Sequence, residues 1–269
     1  MQKIPIIMPM YNRPHYLEKV LIALSKCDNL DKFYVETFEE NFEDYQKQNE
    51  ILLNKYLSGK IEVKRNLNNT VKGCSANCLE GIQKIVNEHE FFVMVEDDIV
   101  LSTDALNLAL WIFPKLTDEQ PAISFYSRFH MSKDYSNNEH LKVCNSVFWH
   151  VWGWAGKSSF FRDKFLPSWD YSDKYLGWDM PINIYAHAKN IKFFQPIVSR
   201  SDNIGAIGLN QKDPKIHEIY VKNDYYYQGE PITDFIFDET KTLEIIDKLY
   251  LPNGRIYNEY KKGFKIKLY

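Results

Sequence analysis

Several features that define specialised protein classes are missing from this sequence. Its 269 residues contain four cysteines, too few for the disulfide framework of a small secreted domain. The 33 lysine and arginine residues are outnumbered by 36 acidic residues, which argues against a dedicated nucleic-acid binder. No apolar run approaches the ~18 residues that a membrane-spanning helix needs.

We also expect no leader segment, linker or internal repeat in this sequence. The first residues are interrupted by Pro5 and Pro9 and therefore do not form the continuous apolar core of a signal peptide. No stretch rich in Gly, Ser or Pro divides the chain into halves. We therefore expect a cytoplasmic enzyme or binding protein with one large domain.

Aromatic residues are abundant, at 15% of the chain, and suit either a packed core or the stacking of sugars and bases. Cys74 and Cys78 are four residues apart and would share one helix face. No second pair of Cys or His residues completes a zinc pattern, so we interpret these cysteines as buried free thiols.

Strand and helix patterns alternate at least three times over residues 1–113. Apolar strands are predicted at residues 4–10, 32–35, 61–65 and 91–95. Between them, Leu17, Val20, Leu21 and Leu24 form one face of a helix that begins near Pro14. This alternation predicts an α/β fold with a Rossmann-like, mostly parallel sheet and helices on both faces.

After Pro121 the pattern becomes irregular. We predict strands at 122–126 and 146–151, short helices at 152–161 and 181–188, and a helix at 243–251. These elements are expected to complete the same sheet. The predicted organisation is one domain over residues 1–217, with a first half over 1–113 and a second half over 114–217, followed by a C-terminal extension over 218–269.

The most informative motif is Glu96-Asp97-Asp98, which directly follows the predicted strand at 91–95. Adjacent carboxylates at the carboxyl end of a parallel strand suit Mg²⁺ or Mn²⁺ that also binds phosphate oxygens. The alternative is a solvated turn before a helix that Ser102 caps.

Asp179 is the candidate general base. It lies beside Trp178, shortly before Pro181, at the predicted start of a helix. An aspartate that accepts a proton from a substrate hydroxyl fits this position. The alternative is an N-cap aspartate whose role is structural, and both roles are compatible.

Three further features have weaker signals. The pair Trp152 and Trp154 flanks Gly153 and suits contact with a sugar ring, although core packing is the usual role of Trp. Arg65 precedes a polar loop that leads to a helix N-terminus, a favourable place for anions. His217 is either a late metal ligand or a lone surface histidine.

The order of these features resembles the inverting GT-A glycosyltransferases, which use nucleotide-diphospho-sugars, in a bacterial branch similar to N-acetylglucosaminyltransferase I. The resemblance covers residues 4–208, most of the chain. The segments that carry it are 4–17, 73–81, 93–99, 152–155, 177–179 and 201–205.

The resemblance implies a role for each matching residue. Asp98 is expected to bind Mn²⁺ or Mg²⁺ at the donor diphosphate, and Asp179 to be the catalytic base. The acceptor side is expected to be lined by Trp152, Gly153 and Trp178. The expected donor-binding residues are Met10, Asn12, Arg13, Arg65, Gly73, Asn77, Glu96, Asp97, Trp154 and Asn203.

The partners implied are a nucleotide-sugar donor, expected to be UDP-linked, and a glycan, glycolipid or glycoprotein acceptor. Which acidic residue at 35–39 would contact a uracil is left open, and no match extends beyond Gly208. A sugar-nucleotide nucleotidyltransferase and a non-catalytic carbohydrate-binding module are the alternatives. The basic, aromatic tail from Gly254 suits either peripheral contact with the inner face of a membrane or ordinary packing.

Overall fold

A computed structural model describes residues 2–127, 137–169, 178–207, 214–215, 217 and 225–243. Its strands are β1 (Ile4–Met10), β2 (Phe33–Glu39), β3 (Glu62–Leu67), β4 (Phe91–Met94), β5 (Ile99–Leu101), β6 (Ala122–Ser124), β7 (Lys142–Ser146), β8 (Trp154–Lys157), β9 (Phe193–Pro196), β10 (Ser201–Asn203) and β11 (Ile236–Leu243). Its α-helices are α1 (Pro14–Leu24), α2 (Glu43–Leu57), α3 (Cys74–Ile85), α4 (Ala105–Ile112), α5 (Ser158–Phe160) and α6 (Asp179–Ala188).

Nine of these strands form one sheet, in the order β11-β7-β9-β6-β8-β4-β1-β2-β3. Strands β3, β2, β1 and β4 are parallel neighbours. Strand β8 is antiparallel between β4 and β6, which joins the second half of the chain to the first. Strands β5 and β10 form a separate antiparallel pair.

Two hydrophobic cores cover the sheet. Side chains alternate along β1, so that Ile6 and Met8 belong to one core and Ile7 to the other. Apolar residues of α1, α2 and α4 contribute to the first core, and those of α3, α5 and α6 to the second. The predicted α/β class, a mostly parallel sheet with helices on both faces, is confirmed.

The secondary structure after residue 140 differs from the prediction. Residues 154–157, predicted as helix, form the central strand β8, because both of its edges pair with neighbouring strands. Gly156 suits this place, since a Cβ there would lie 2.8 Å from the Phe161 ring. A strand was predicted at 146–151, but strand β7 covers Lys142–Ser146 and ends where the predicted strand begins.

The start of α4 also differs from the prediction. The N-cap position of α4 is Asp104, without a capping side-chain hydrogen bond, and the Ser102 hydroxyl donates to the Asp104 carboxylate at 2.6 Å. Asp104 in turn accepts from Arg200 at 2.9 Å, and both side chains of this ion pair are fully buried. Ser102 therefore supports a buried ion pair rather than the helix N-terminus.

Strand β11 lies beside β7 in the main sheet, although the sequence places it in the C-terminal extension. Most of the helix predicted at 243–251, and the basic tail beyond it, lie outside the described residues. Within the described ranges, no helix combines the length and the apolar character needed to cross a bilayer.

Candidate functional site

Three neighbouring parallel strands end at one edge of the sheet and place polar residues there. Met10, the last residue of β1, is in register with Glu39, the last residue of β2. On the other side of β1, Ile7 is in register with Met94 of β4, which Glu96-Asp97-Asp98 follows closely. The carboxyl edge of a parallel sheet is where open α/β folds bind ligands.

The acidic motif at the end of β4 is tied to the end of β1 by direct hydrogen bonds. The Tyr11 backbone N–H donates to Asp97 Oδ2 at 2.8 Å. The Arg13 guanidinium donates to Asp98 Oδ2 at 2.5 Å and, through its other terminal nitrogen, to Asp97 Oδ1. One arginine therefore bridges two buried carboxylates.

Burial makes it costly to charge this cluster. It raises the pKa of Glu96 above its ordinary value, and it raises the pKa of Asp97 to about 6 despite the opposing effect of Arg13. Burial lowers the pKa of Arg13, but the attraction of Asp97 and Asp98 outweighs it and the net pKa is raised. A further cation beside these carboxylates would be electrostatically favourable.

Strand β10 brings a second segment against the acidic motif. Its pairing with β5 places Asn203 opposite Ile99, and the Ile204 N–H donates to the Asp98 carbonyl at 2.9 Å. Gly205 comes so close that a Cβ there would lie 2.1 Å from Asp98 Oδ2. The missing side chain at position 205 therefore leaves the space that the Asp98 carboxylate occupies.

His217 lies in the same region. Its Nε2 is 2.7 Å from the Asn203 carbonyl oxygen, and the residue is only 2% exposed. The alternative of a lone surface histidine is therefore wrong. Because a carbonyl oxygen only accepts, Nε2 carries the hydrogen of this contact.

These residues line one cavity of about 240 Å³, slightly below the ~300–1,000 Å³ typical of small-molecule sites. The cavity lies at the carboxyl edge of the sheet. Ten of the predicted site residues line it, namely Met10, Arg13, Asn77, Glu96, Asp97, Asp98, Trp152, Trp178, Asp179 and Asn203.

Asp179 also lines this cavity and comes from the second half of the chain, whereas Met10, Asp97 and Asp98 come from the first half. It is the first residue of α6, and Trp178 occupies the N-cap position, so Asp179 is not the N-cap residue. Asn183 fixes this end of α6, because its side chain donates to the Trp149 carbonyl at 3.0 Å and accepts from the Trp149 N–H at 2.7 Å. Gly177, the first residue of the motif, lies outside the described residues.

Two predicted donor-binding residues are occupied elsewhere and do not line the cavity. The Arg65 guanidinium donates to both Glu39 carboxylate oxygens, at 2.7 and 3.0 Å, and also forms an ion pair with Glu50. The Gly73 N–H donates to Glu40 at 2.7 Å, so Gly73 supports the cavity wall from behind. Gly73 therefore contacts the cavity residue Glu40, whereas Arg65 is bound by Glu39, which does not line the cavity.

Three other predicted residues also lie off the cavity wall. Trp154 is fully buried and packs edge-on against Trp149, with ring centroids 4.3 Å apart, which is the core role that its size allows. Gly153 has a φ of +79°, a backbone conformation in which a residue with a side chain is strained, and a Cβ there would lie 3.2 Å from Ile99 Cγ2 of β5. Asn12 does not line the cavity either.

Glu40 is a cavity residue that sequence reasoning missed. It follows β2 directly and is 3% exposed, and its two carboxylate oxygens accept the Lys72 and Gly73 N–H groups, each at 2.7 Å. In the sequence, the only feature that could have indicated Glu40 is that it is an acidic residue shortly after a predicted strand. Among the acidic residues at the end of β2, Glu40 lines the cavity, whereas Glu39 binds Arg65 and Glu36 pairs with Lys84.

Comparison with known proteins identifies similar folds. No protein-family model matches this sequence. The structure of S. aureus TarS 1-349 is similar, with a TM-score of 0.53 and 13% identity, over 76% of this chain and 61% of that chain. Its complex with UDP has a TM-score of 0.54 at 13% identity, over 74% and 59%.

A more distant similarity is to the mannosyltransferase PcManGT from Pyrobaculum calidifontis, in complex with GDP-Man and Mn²⁺. Its TM-score is 0.48 at 14% identity, over 74% of this chain and 57% of that chain. This chain thus spans about three fifths of the length of these proteins. At such identities the similarity shows the fold, a GT-A-like mixed α/β architecture.

Proposed function

We propose that this protein is a metal-dependent, inverting glycosyltransferase that moves a sugar from a nucleotide-diphosphate donor to a hydroxyl of a glycan, glycolipid or glycoprotein. The observation that carries the proposal is one cavity, at the carboxyl edge of the sheet, that combines Asp97 and Asp98 with Asp179. In this proposal Asp98, beside Asp97, would bind the cation on the donor side, and Asp179 would act on the acceptor side.

The residues fit a hard divalent cation. Asp98 offers carboxylate oxygens at the cavity wall, and His217 lines the same cavity, where its Nε2–H donates to a backbone carbonyl, a contact that metal-bound histidines commonly make. The room that Gly205 leaves beside Asp98 keeps this carboxylate at the cavity wall. When bound, Mn²⁺ or Mg²⁺ would stabilise the negative charge of the departing diphosphate.

The chain's own residues would divide the remaining work. Arg13 holds Asp97 and Asp98 in place through two charge-assisted hydrogen bonds. Asp179 would accept the proton of the acceptor hydroxyl as that oxygen attacks the anomeric carbon from the face opposite the leaving group. Trp152 and Trp178, both in the cavity wall, offer indole faces to sugar rings.

On the donor side, we propose uridine as the base. Met10 and Glu40 line the part of the cavity at the ends of β1 and β2, and Glu40 is an acidic residue held rigidly by two backbone N–H groups. The UDP complex of TarS, a protein with a similar fold, supports the same choice.

The first test is thermal stability with a panel of UDP-, GDP-, CDP- and ADP-sugars, each with Mn²⁺ and with EDTA. Ligand at 100 times its Kd stabilises by about 2.7 kcal/mol, which for a chain of this size raises Tm by roughly 5–10 °C. We expect this rise with Mn²⁺ and a UDP-sugar, and its loss in Asp98→Asn. Asp163→Asn, an exposed aspartate paired with Arg162, is the matched control and should retain the rise.

The second test separates catalysis from binding. Asp179→Asn should lower turnover by about 10²–10⁴-fold, because general-base help is removed, while the donor-dependent rise in Tm remains. The configuration of the product anomer, read by NMR, should be opposite to that of the donor. A loss below tenfold would contradict the catalytic role of Asp179.

The same experiments discriminate the alternatives. A carbohydrate-binding module would be stabilised by glycans and would turn over no nucleotide sugar. A nucleotidyltransferase would form a nucleotide sugar from a nucleoside triphosphate and a sugar phosphate. Either result would replace the proposed function.

A further inference from the structure

Two free cysteines and a glutamate meet in the wall of the cavity. Cys74 and Cys78 lie one turn apart on α3, so their side chains share one face of the helix. That face lies against the end of β4, and Cys74 Sγ is 3.9 Å from Glu96 Oε2. The two sulfur atoms and a carboxylate oxygen of Glu96 all lie within 4.8 Å of one another.

This donor set differs in kind from the one at Asp98. Thiolates select soft or borderline ions such as Zn²⁺, whereas carboxylates and water suit Mg²⁺ and Mn²⁺. In a tetrahedral zinc site with Zn–S bonds of about 2.3 Å, neighbouring sulfur atoms lie about 3.8 Å apart. With a Zn–O bond of about 2.0 Å, sulfur and oxygen ligands lie about 3.5 Å apart, so contractions of at most about 1.3 Å would bring all three atoms onto one ion.

The site is accessible to an ion from solvent. All three residues line the cavity, and Cys74 is only half-buried, whereas Cys78 is fully buried behind it. Three protein ligands leave the fourth tetrahedral position for water or for a ligand in the cavity.

We propose that Cys74, Cys78 and Glu96 form a second metal site, selective for Zn²⁺ and other thiophilic cations, and that its occupation closes the cavity to the donor. On binding, the ion forms two metal–sulfur bonds and one metal–oxygen bond, and the two thiol protons are released to solvent. The blocking effect rests on the proposed function, because Glu96 adjoins Asp97 and Asp98. The metal site itself does not depend on the proposed function.

The first experiment titrates the metal-free full chain with Cd²⁺ alone and follows thiolate-to-metal charge-transfer absorption in the ultraviolet. We expect one ion per chain in the wild type and no such band in Cys74→Ser/Cys78→Ser. Cys74→Ser alone, at the half-buried position, should weaken Cd²⁺ binding at least about tenfold. It provides a readout should the double variant fail to fold.

Two matched controls separate this cluster from other ligands. Cys27→Ser/Cys144→Ser should keep the band, and serine can still donate to the Ser102 and Gln195 carbonyls that these buried thiols contact at 3.4 and 3.3 Å. Asp98→Asn should also keep it. A band that survives loss of Cys74 and Cys78, or no band in folded wild type, would overturn the proposal.

The second experiment adds Zn²⁺ to the protein stabilised by Mn²⁺ and a nucleotide sugar. We expect Zn²⁺ to raise the apparent Kd of the nucleotide sugar at least tenfold, and Cys74→Ser to remove most of this effect. Equal inhibition in wild type and Cys74→Ser would overturn the blocking effect. A Cd²⁺ band in a protein that responds to no nucleotide sugar would support the metal site and refute the transferase.

Discussion

Replacing Gly205 by alanine would test how the acidic site is shaped. The added Cβ would lie 2.1 Å from Asp98 Oδ2 and 2.8 Å from Asp98 Cγ, distances that non-bonded atoms do not adopt. The φ of Gly205 is outside the left-handed region, so alanine could take up the backbone conformation without strain. The whole effect should therefore arise from the contact with Asp98.

The contact can be relieved in two ways, and each has a cost. Turning the Asp98 carboxylate breaks its charge-assisted hydrogen bond from Arg13, worth about 1.5–3 kcal/mol. Moving the loop away breaks the hydrogen bond from the Ile204 N–H to the Asp98 carbonyl, worth about 0.5–1.5 kcal/mol. In the proposed site the metal binds Asp98 in its original orientation, so a cost of about 1–3 kcal/mol should lower Mn²⁺ affinity roughly 5- to 150-fold.

The assay is a titration of the protein with Mn²⁺, in which free Mn²⁺ is measured by electron paramagnetic resonance. Gly59→Ala is the matched control, because Gly59 has a φ of +73° and no neighbouring heavy atom within 4 Å of a built Cβ. It should lower stability by about 1–2 kcal/mol through backbone strain and leave Mn²⁺ affinity unchanged. Wild-type Mn²⁺ affinity in a folded Gly205→Ala protein would refute the reasoning.

Two further predictions concern the interior. Asp104→Asn should lower the free energy of unfolding in urea by about 3–5 kcal/mol, because Arg200 would remain charged and fully buried, and a loss below 1 kcal/mol would contradict this. Trp154→Ala should cost about 3–5 kcal/mol of stability yet leave the Kd of a nucleotide sugar within threefold, since Trp154 lies in the core. Trp152→Ala, at the cavity wall, should cost less stability than Trp154→Ala and weaken nucleotide-sugar binding more. Equal effects of the two substitutions on binding would contradict the assignment of Trp152 to the cavity and Trp154 to the core.

The first half of the fold could be predicted because its signals are local. The apolar run that forms β1 and the spacing of Leu17, Val20 and Leu21 in α1 are each contained in a few consecutive residues. Strand β8 could not be predicted in this way. The short segment Trp154–Lys157 is a strand because β4 and β6 supply hydrogen-bond partners on both sides, and both partners are distant in sequence.

The same division applies to the candidate site. Glu96, Asp97 and Asp98 could be placed at the cavity from sequence, because carboxylates that follow a buried parallel strand lie at the ligand-binding edge. Arg65 was predicted to bind the donor because a polar loop and a helix N-terminus follow it. In the structure, however, Glu39 on the adjacent strand β2 binds its guanidinium. Such competition between partners depends on strand register.

The sequence by itself determined the α/β class and the acidic strand end at Asp98, because periodicity and chain order act over short distances. Only the tertiary structure decided which residues share the cavity. Glu40 and His217 reach it, and Cys74 meets Glu96, through the packing of segments far apart in the chain. A contact between distant segments depends on how strands and helices pack, and no local pattern of residues encodes that packing.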